Sequence, residues 1–247
     1  MPCRTVNYAL YTVPVVILMT FVVWMKVDPD DLAPMTREDG WIENGTAIAY
    51  AVAAAMFALA TRRMRLFQAD AGSCASTMTI CWSLLALFCM GEEISWGQRI
   101  FDFKTPEGIL ENNTHGEFNI HNLYFVEHGA LGGEYGLLSI YMLLGGLGIP
   151  VAARTRLGRW LFARTYFPVL PWQYCVLWVG AYAYGKYFGG WEHIPAVGHS
   201  PTKAATEIRE LLVALGTAFF AIHAFWRPSD VYVEEPRVAK LHLQPHI

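Results

Sequence analysis

Six glutamates, Glu43, Glu92, Glu93, Glu134, Glu207 and Glu210, stand at or just inside the ends of long apolar runs. Carboxylates at the edge of a hydrocarbon layer are costly, so they usually face a bundle interior and meet partners there. Clustered carboxylates raise one another's pKa, which suits a general acid, a proton carrier or a cation site. The densest stretch is Met90-Gly-Glu-Glu-Ile-Ser-Trp-Gly-Gln-Arg99, where two adjacent acids follow sixteen uncharged residues, 75–90. On a helix Glu92, Trp96 and Arg99 share one face, while Glu93 points about 100° away. Glu92, Glu93, Arg99 and Glu43 are therefore the candidate catalytic residues. Trp96, Gln98, Asn122, Glu134, Glu207 and Glu210 are the candidate substrate-binding residues. The bland alternative is a set of interfacial acids reaching to water, with Glu92 or Glu93 paired to Arg99.

His121 and His128 are seven residues apart, two turns of a helix if the segment is helical. With Glu117 they would give an oxygen and nitrogen ligand set that suits Zn or Mn, which makes a divalent metal the candidate cofactor. Hydrogen-bonded structural His is the alternative, and no H-E-x-x-H motif supports the metal. Ser95 has no G-x-S-x-G elbow around it and is a weak nucleophile candidate. Asn44-Gly-Thr and Asn112-Asn-Thr are formal glycosylation sequons.

The elements that must carry these residues are membrane helices. Of 247 residues 54% are hydrophobic and 16% charged, against about 25% charged in an ordinary soluble domain. The net charge of −3 and the lack of a basic groove pattern argue against a nucleic-acid partner. The partners expected are membrane lipid and, in one reading, other membrane subunits. Five Cys show neither C-x-x-C nor zinc-ribbon spacing, so a disulfide framework is not indicated. An apolar run from Tyr8 to Met25 follows Arg4, is longer than a signal-peptide core and precedes no cleavage site, so it reads as a retained first helix.

Six spans are expected, near 8–26, 40–61, 75–95, 130–153, 167–188 and 207–226. They form an all-α integral membrane bundle, one domain over 1–228, with a short polar tail at 229–247. The fourth span is glycine-rich and suited to close backbone packing. An ordered loop of about 96–129 separates the third and fourth, and its Glu, His and Asn content argues for a role beyond connection. The clean apolar stretches of the second, third and sixth spans are fifteen, sixteen and sixteen residues. Each is short of a full crossing, and each meets Glu at the same end.

Orientation follows from the basic residues. With the N-terminus inside, eleven of the eighteen Lys and Arg fall on the inner side, including Arg62, Arg63 and Arg65 in one loop and Arg154, Arg156, Arg159 and Arg164 in another. Both termini are then cytoplasmic, and the membrane is the bacterial plasma (inner) membrane. Seventeen of the twenty-one acids, and five of the eight His, collect on the outer side.

Glu38-Asp-Gly-x-x-Glu43, Gly91-Glu-Glu-Ile-Ser-Trp-Gly-Gln-Arg99, Thr105-Pro-Glu107 and Glu117-x-Asn-x-His-Asn-Leu123 resemble the signature blocks of an uncharacterised family of bacterial multipass membrane proteins. The resemblance covers residues 38–123, about a third of the chain, and implies a bacterial membrane bundle with a site, not a particular reaction. Asp39-Gly-Trp-Ile-Glu-Asn44 is loosely similar to a cation-binding block of the alkaline-ceramidase type of membrane hydrolase. No H-x-x-x-H follows in a late helix to hold that family's zinc.

Three function classes fit these residues. The favoured one is a membrane-embedded, metal-assisted or acid–base enzyme acting on a lipid or lipid-linked substrate at the outer leaflet. The others are a non-catalytic subunit of a larger membrane complex and a small cation or proton transporter. The transporter is least favoured because the middles of the spans hold almost no polar residues.

Overall fold

The computed structural model describes residues 4–32, 34–36, 40–67, 72–113, 116–120, 123–124, 136–189 and 201–232. Among these residues the chain is helical, and its β pairing is a lone bridge between Asn113 and Leu123. In chain order the main helices are α1 (Arg4–Val27), α2 (Trp41–Phe67), α3 (Gly72–Glu93), α4 (Leu137–Ala152), α5 (Arg156–Thr165), α6 (Trp172–Phe188) and α7 (Pro201–Trp226).

Three helices are long and apolar enough to cross a membrane: Trp41–Arg65 of α2, Cys74–Glu93 of α3 and Ala204–Trp226 of α7. The pair α4 and α5 makes a fourth if the two are counted together, although they meet at 107°. The apolar part of α1, Tyr11–Val27, and the 17-residue α6 are shorter. The chain is thus a helical protein with three to four candidate spans among the described residues, by length and composition.

Helix α7 is the centre. In its apolar window 72% is buried inside the protein, against 50% for α2 and 28% for α3. It packs on α2 and α6; α3 packs on the far side of α2, α1 on α6, and α4 on α6. The glycines of α4 act where the sequence analysis expected close packing. A Cβ on Gly145 would fall 2.0 Å from the Trp178 ring, and one on Gly216 of α7 would fall 2.5 Å from it. The fully buried Trp178 indole therefore sits in a socket cut from two neighbouring helices, beside Tyr141 at 4.4 Å and Trp82 at 6.3 Å. Overpacking such a site costs about 1–3 kcal/mol. Leu144–Gly148 runs as one π turn within α4, next to the same ring.

After Ala152 the chain turns sharply. Thr155 caps α5 by accepting from the Gly158 N–H at 3.0 Å, and a Cβ on Gly158 would overlap the Ala152 carbonyl. Leu157, Trp160 and Leu161 of α5 are exposed, and Arg154, Arg156, Arg159 and Arg164 flank them. The same end of the bundle is closed by the turn Pro228–Val231. His223 joins Tyr174 at 3.2 Å and Asp230 at 3.1 Å, and the Val169 N–H donates to the Val231 carbonyl. Tyr232 meets the Thr79 hydroxyl at 2.7 Å, and burial pushes its phenol up, so it stays neutral in that contact.

Candidate functional site

Helix α3 ends at Glu93 rather than near residue 95, and within it the helical step of about 100° turns the two adjacent acids apart. Ser95, Trp96 and Gly97 follow with φ of 46°, 53° and 82°, three successive left-handed residues. For Ser and Trp that conformation costs roughly 1–2 kcal/mol each, so surrounding contacts must hold it. Glu92 and Trp96 therefore meet through this turn and not along a continuous helix face.

The contacts come from the following loop. The Trp96 ring folds back over Gly91, and its indole N–H donates to Glu92 Oε1 at 2.6 Å. The backbone N–H of Ile120 donates to Glu92 Oε2 at 2.8 Å. The fully buried Ser95 hydroxyl donates to Glu117 Oε2 at 3.1 Å, and the Asn119 amide donates to the same oxygen at 2.8 Å. Gln98 uses both ends of its amide: Oε1 accepts from the Phe118 N–H at 2.7 Å, and Nε2 donates to Thr105 Oγ1 at 2.9 Å. Thr105 in turn donates to the Gly116 carbonyl at 2.7 Å. Asn113 accepts from the Glu117 N–H and donates to Asn119. The motif blocks noticed in the sequence thus lock onto one another. Glu92, Trp96, Gln98 and Glu117 fix the path of the loop over the end of α3.

Glu93 faces the other way, into the bundle. Its electrostatic neighbours, in falling order of strength, are Glu210, Glu207, Glu43 and Glu92. Among the described residues no hydrogen-bond donor reaches its carboxylate, in plain contrast to Glu92. Three helices converge here because α2 starts, α3 ends and α7 starts at the same end of the bundle. A described cation near this layer is Arg209, buried on α7, with its guanidinium 3.6 Å from Glu210 Oε1 and its stem laid against Gly185 of α6.

The polar site extends inward through residues that the sequence analysis did not single out. Buried Tyr50 of α2 has Cys89, Tyr141, Glu93 and Glu210 as its electrostatic neighbours. Tyr141 has Thr217 of α7 beside it, and the Thr217 hydroxyl donates to the Val213 carbonyl at 2.8 Å. Carboxyl, phenol and thiol groups are therefore electrostatic neighbours in this part of the bundle. No motif in the sequence singles out Cys89, Tyr50, Tyr141 or Arg209. Tyr50 lies seven residues, two turns, below Glu43, and that spacing was the available signal.

The Arg99 side chain, His121, Asn122, His128 and Glu134 lie outside the described residues. Among the described residues no group of three or more His, Cys, Asp or Glu is placed to hold a metal ion. No protein-family model, curated protein or solved structure matches the chain.

Proposed function

We propose that the chain is a six-crossing protein of the bacterial plasma membrane, both termini cytoplasmic, with an ordered extracytoplasmic loop between the third and fourth crossings. In this reading Glu43, Glu93, Glu207 and Glu210 form one acid–base site at the outer edge of the membrane, acting on a lipid or lipid-linked substrate. The observation that carries it is the set of carboxylates around Glu93, drawn from α2 and α7 as well as α3. Carboxylates that act on one another in a partly desolvated place can share protons, which suits a positioned general acid or base. Tyr50, Cys89 and Tyr141 add further exchangeable protons in the neighbourhood. The locked loop supports the reading in a second way, since it holds the Glu92–Glu93 helix end still and covers it.

The test is to incubate purified protein in detergent with a total bacterial lipid extract that retains lipid-linked intermediates. Mass spectrometry then compares wild type with Glu93→Gln. A species consumed by wild type and untouched by Glu93→Gln is expected. Unchanged lipid profiles with wild-type protein would count against an enzyme. Co-purification of stoichiometric membrane subunits would then favour the subunit reading, to which the sparsely buried α3 offers a face.

A further inference from the structure

Towards the end of the bundle opposite the Glu layer, α2 and α3 line an open groove of about 480 Å³. Its walls are Ala58 of α2 and Ile80 and Leu84 of α3, which are exposed or half-buried. Two hydroxyls also line it, and both are engaged by helix backbone. Thr61 donates to the Phe57 carbonyl at 3.0 Å, and Ser83 donates to the Ala54 carbonyl at 2.8 Å. The groove therefore presents hydrocarbon along its length, up to Arg62 and Arg65 at its mouth. These two are three residues apart on one face of the last turns of α2. Arg63 between them is committed elsewhere, donating to the Phe225 carbonyl and lying over the Phe225 ring. Among the described residues neither Arg62 nor Arg65 has an acidic partner.

We propose that this groove is a binding site for an anionic phospholipid of the host membrane, with its acyl chain against Ala58, Ile80 and Leu84 and its phosphate on Arg62 and Arg65. A apolar channel ending in two cations matches the order of parts in such a lipid, tail first and headgroup last. Arg at that depth keeps its stem along apolar surface and its guanidinium among headgroups. Guanidinium forks suit phosphate oxygens, which two Arg grip in more than one direction. The inference needs the chain to span a membrane; it does not depend on the chemistry of Glu93.

The experiment is native mass spectrometry of the full-length, delipidated protein, titrated with phosphatidylglycerol or with phosphatidylcholine of identical acyl chains. Wild type should retain one phosphatidylglycerol in strong preference to phosphatidylcholine. Arg62→Gln with Arg65→Gln should lower phosphatidylglycerol affinity by roughly twentyfold, to the phosphatidylcholine level, given the worth of two cations at a membrane surface. Arg156→Gln with Arg159→Gln, at the same end but on α5, should leave the retained lipid in place. Ala58→Trp fills the exposed groove with both Arg intact and should displace the lipid without touching the charges. Undiminished retention in Arg62→Gln/Arg65→Gln would overturn the proposal. Equal loss in Arg156→Gln/Arg159→Gln would assign the effect to diffuse charge, and overturn it as well. A protein dimer that Ala58→Trp breaks, with no phospholipid retained, would give the groove to a second copy instead.

Discussion

Glu92 and Glu93 are neighbours in the chain and opposites in their surroundings. Glu92 is buried and held by a donor on each oxygen, the Trp96 indole on one and the Ile120 backbone on the other. Glu93 is half-buried and looks onto other acids, with Glu210 and Glu207 foremost. A carboxylate with its lone pairs filled by N–H groups is a fixed part of the scaffold. A carboxylate facing like charge across three helices is held there against electrostatic cost, and such sites are where proton or cation chemistry is found. The difference teaches that the loop motifs around Glu92 serve position, while the proposed chemistry is assigned to the residue beside it.

Substitutions can break that contrast or sharpen it. The largest effect should come from Glu92→Ala, which orphans the indole and a backbone N–H and frees the loop. Hydrogen bonds to a charged group contribute about 1.5–3 kcal/mol each, so a loss of about 3–5 kcal/mol is expected in a reversible denaturation series. A change below about 1 kcal/mol, the worth of an exposed acid, would mean the loop is not anchored there. Gln98→Leu removes the acceptor for the Phe118 N–H and the donor to Thr105, and should cost about 1–3 kcal/mol by leaving a backbone donor unsatisfied. Proteolysis within residues 103–112 should accelerate in parallel. Trp96→Phe keeps the ring over Gly91 and deletes only the indole donor, so a smaller loss of about 1 kcal/mol is expected. Glu93→Gln should not destabilise at all, since it removes like-charge repulsion and no hydrogen bond. A loss comparable to that of Glu92→Ala would erase the contrast.

Much of this was legible beforehand, and the failures have physical causes. The helical class followed from long apolar runs, and the meeting of the helix ends that carry Glu43, Glu93, Glu207 and Glu210 from the shared place where three short runs ended. Both are properties of length, which a sequence displays directly. The opposite facing of Glu92 and Glu93 followed from helical periodicity, but the anchoring of Glu92 by the loop was not legible. It depends on α3 stopping at Glu93 and on Ser95 and Trp96 taking left-handed backbone, which neither residue favours by itself. The loop contacts that hold them, Ser95 to Glu117 and Gln98 to Phe118, are twenty or more residues apart and leave no periodic trace. The stretch 154–164 was counted only as a basic inner connection. Its apolar residues Leu157, Trp160 and Leu161, at three- and four-residue spacing between Arg, could have shown an amphipathic α5. Tyr50 and Tyr141 were hidden by composition, because a phenol in an apolar helix reads as core until its neighbours are known.

The most direct measurement of the central claim is a double-mutant cycle on Glu93→Gln and Glu210→Gln, read as stability at a pH above the ordinary carboxylate range. If the two acids share one site, either substitution alone relieves the same repulsion. The double variant should then fall short of the summed singles by about 0.5–3 kcal/mol. Additivity within about 0.3 kcal/mol would show the two to be independent surface acids, and would contradict both the single site and the function built on it.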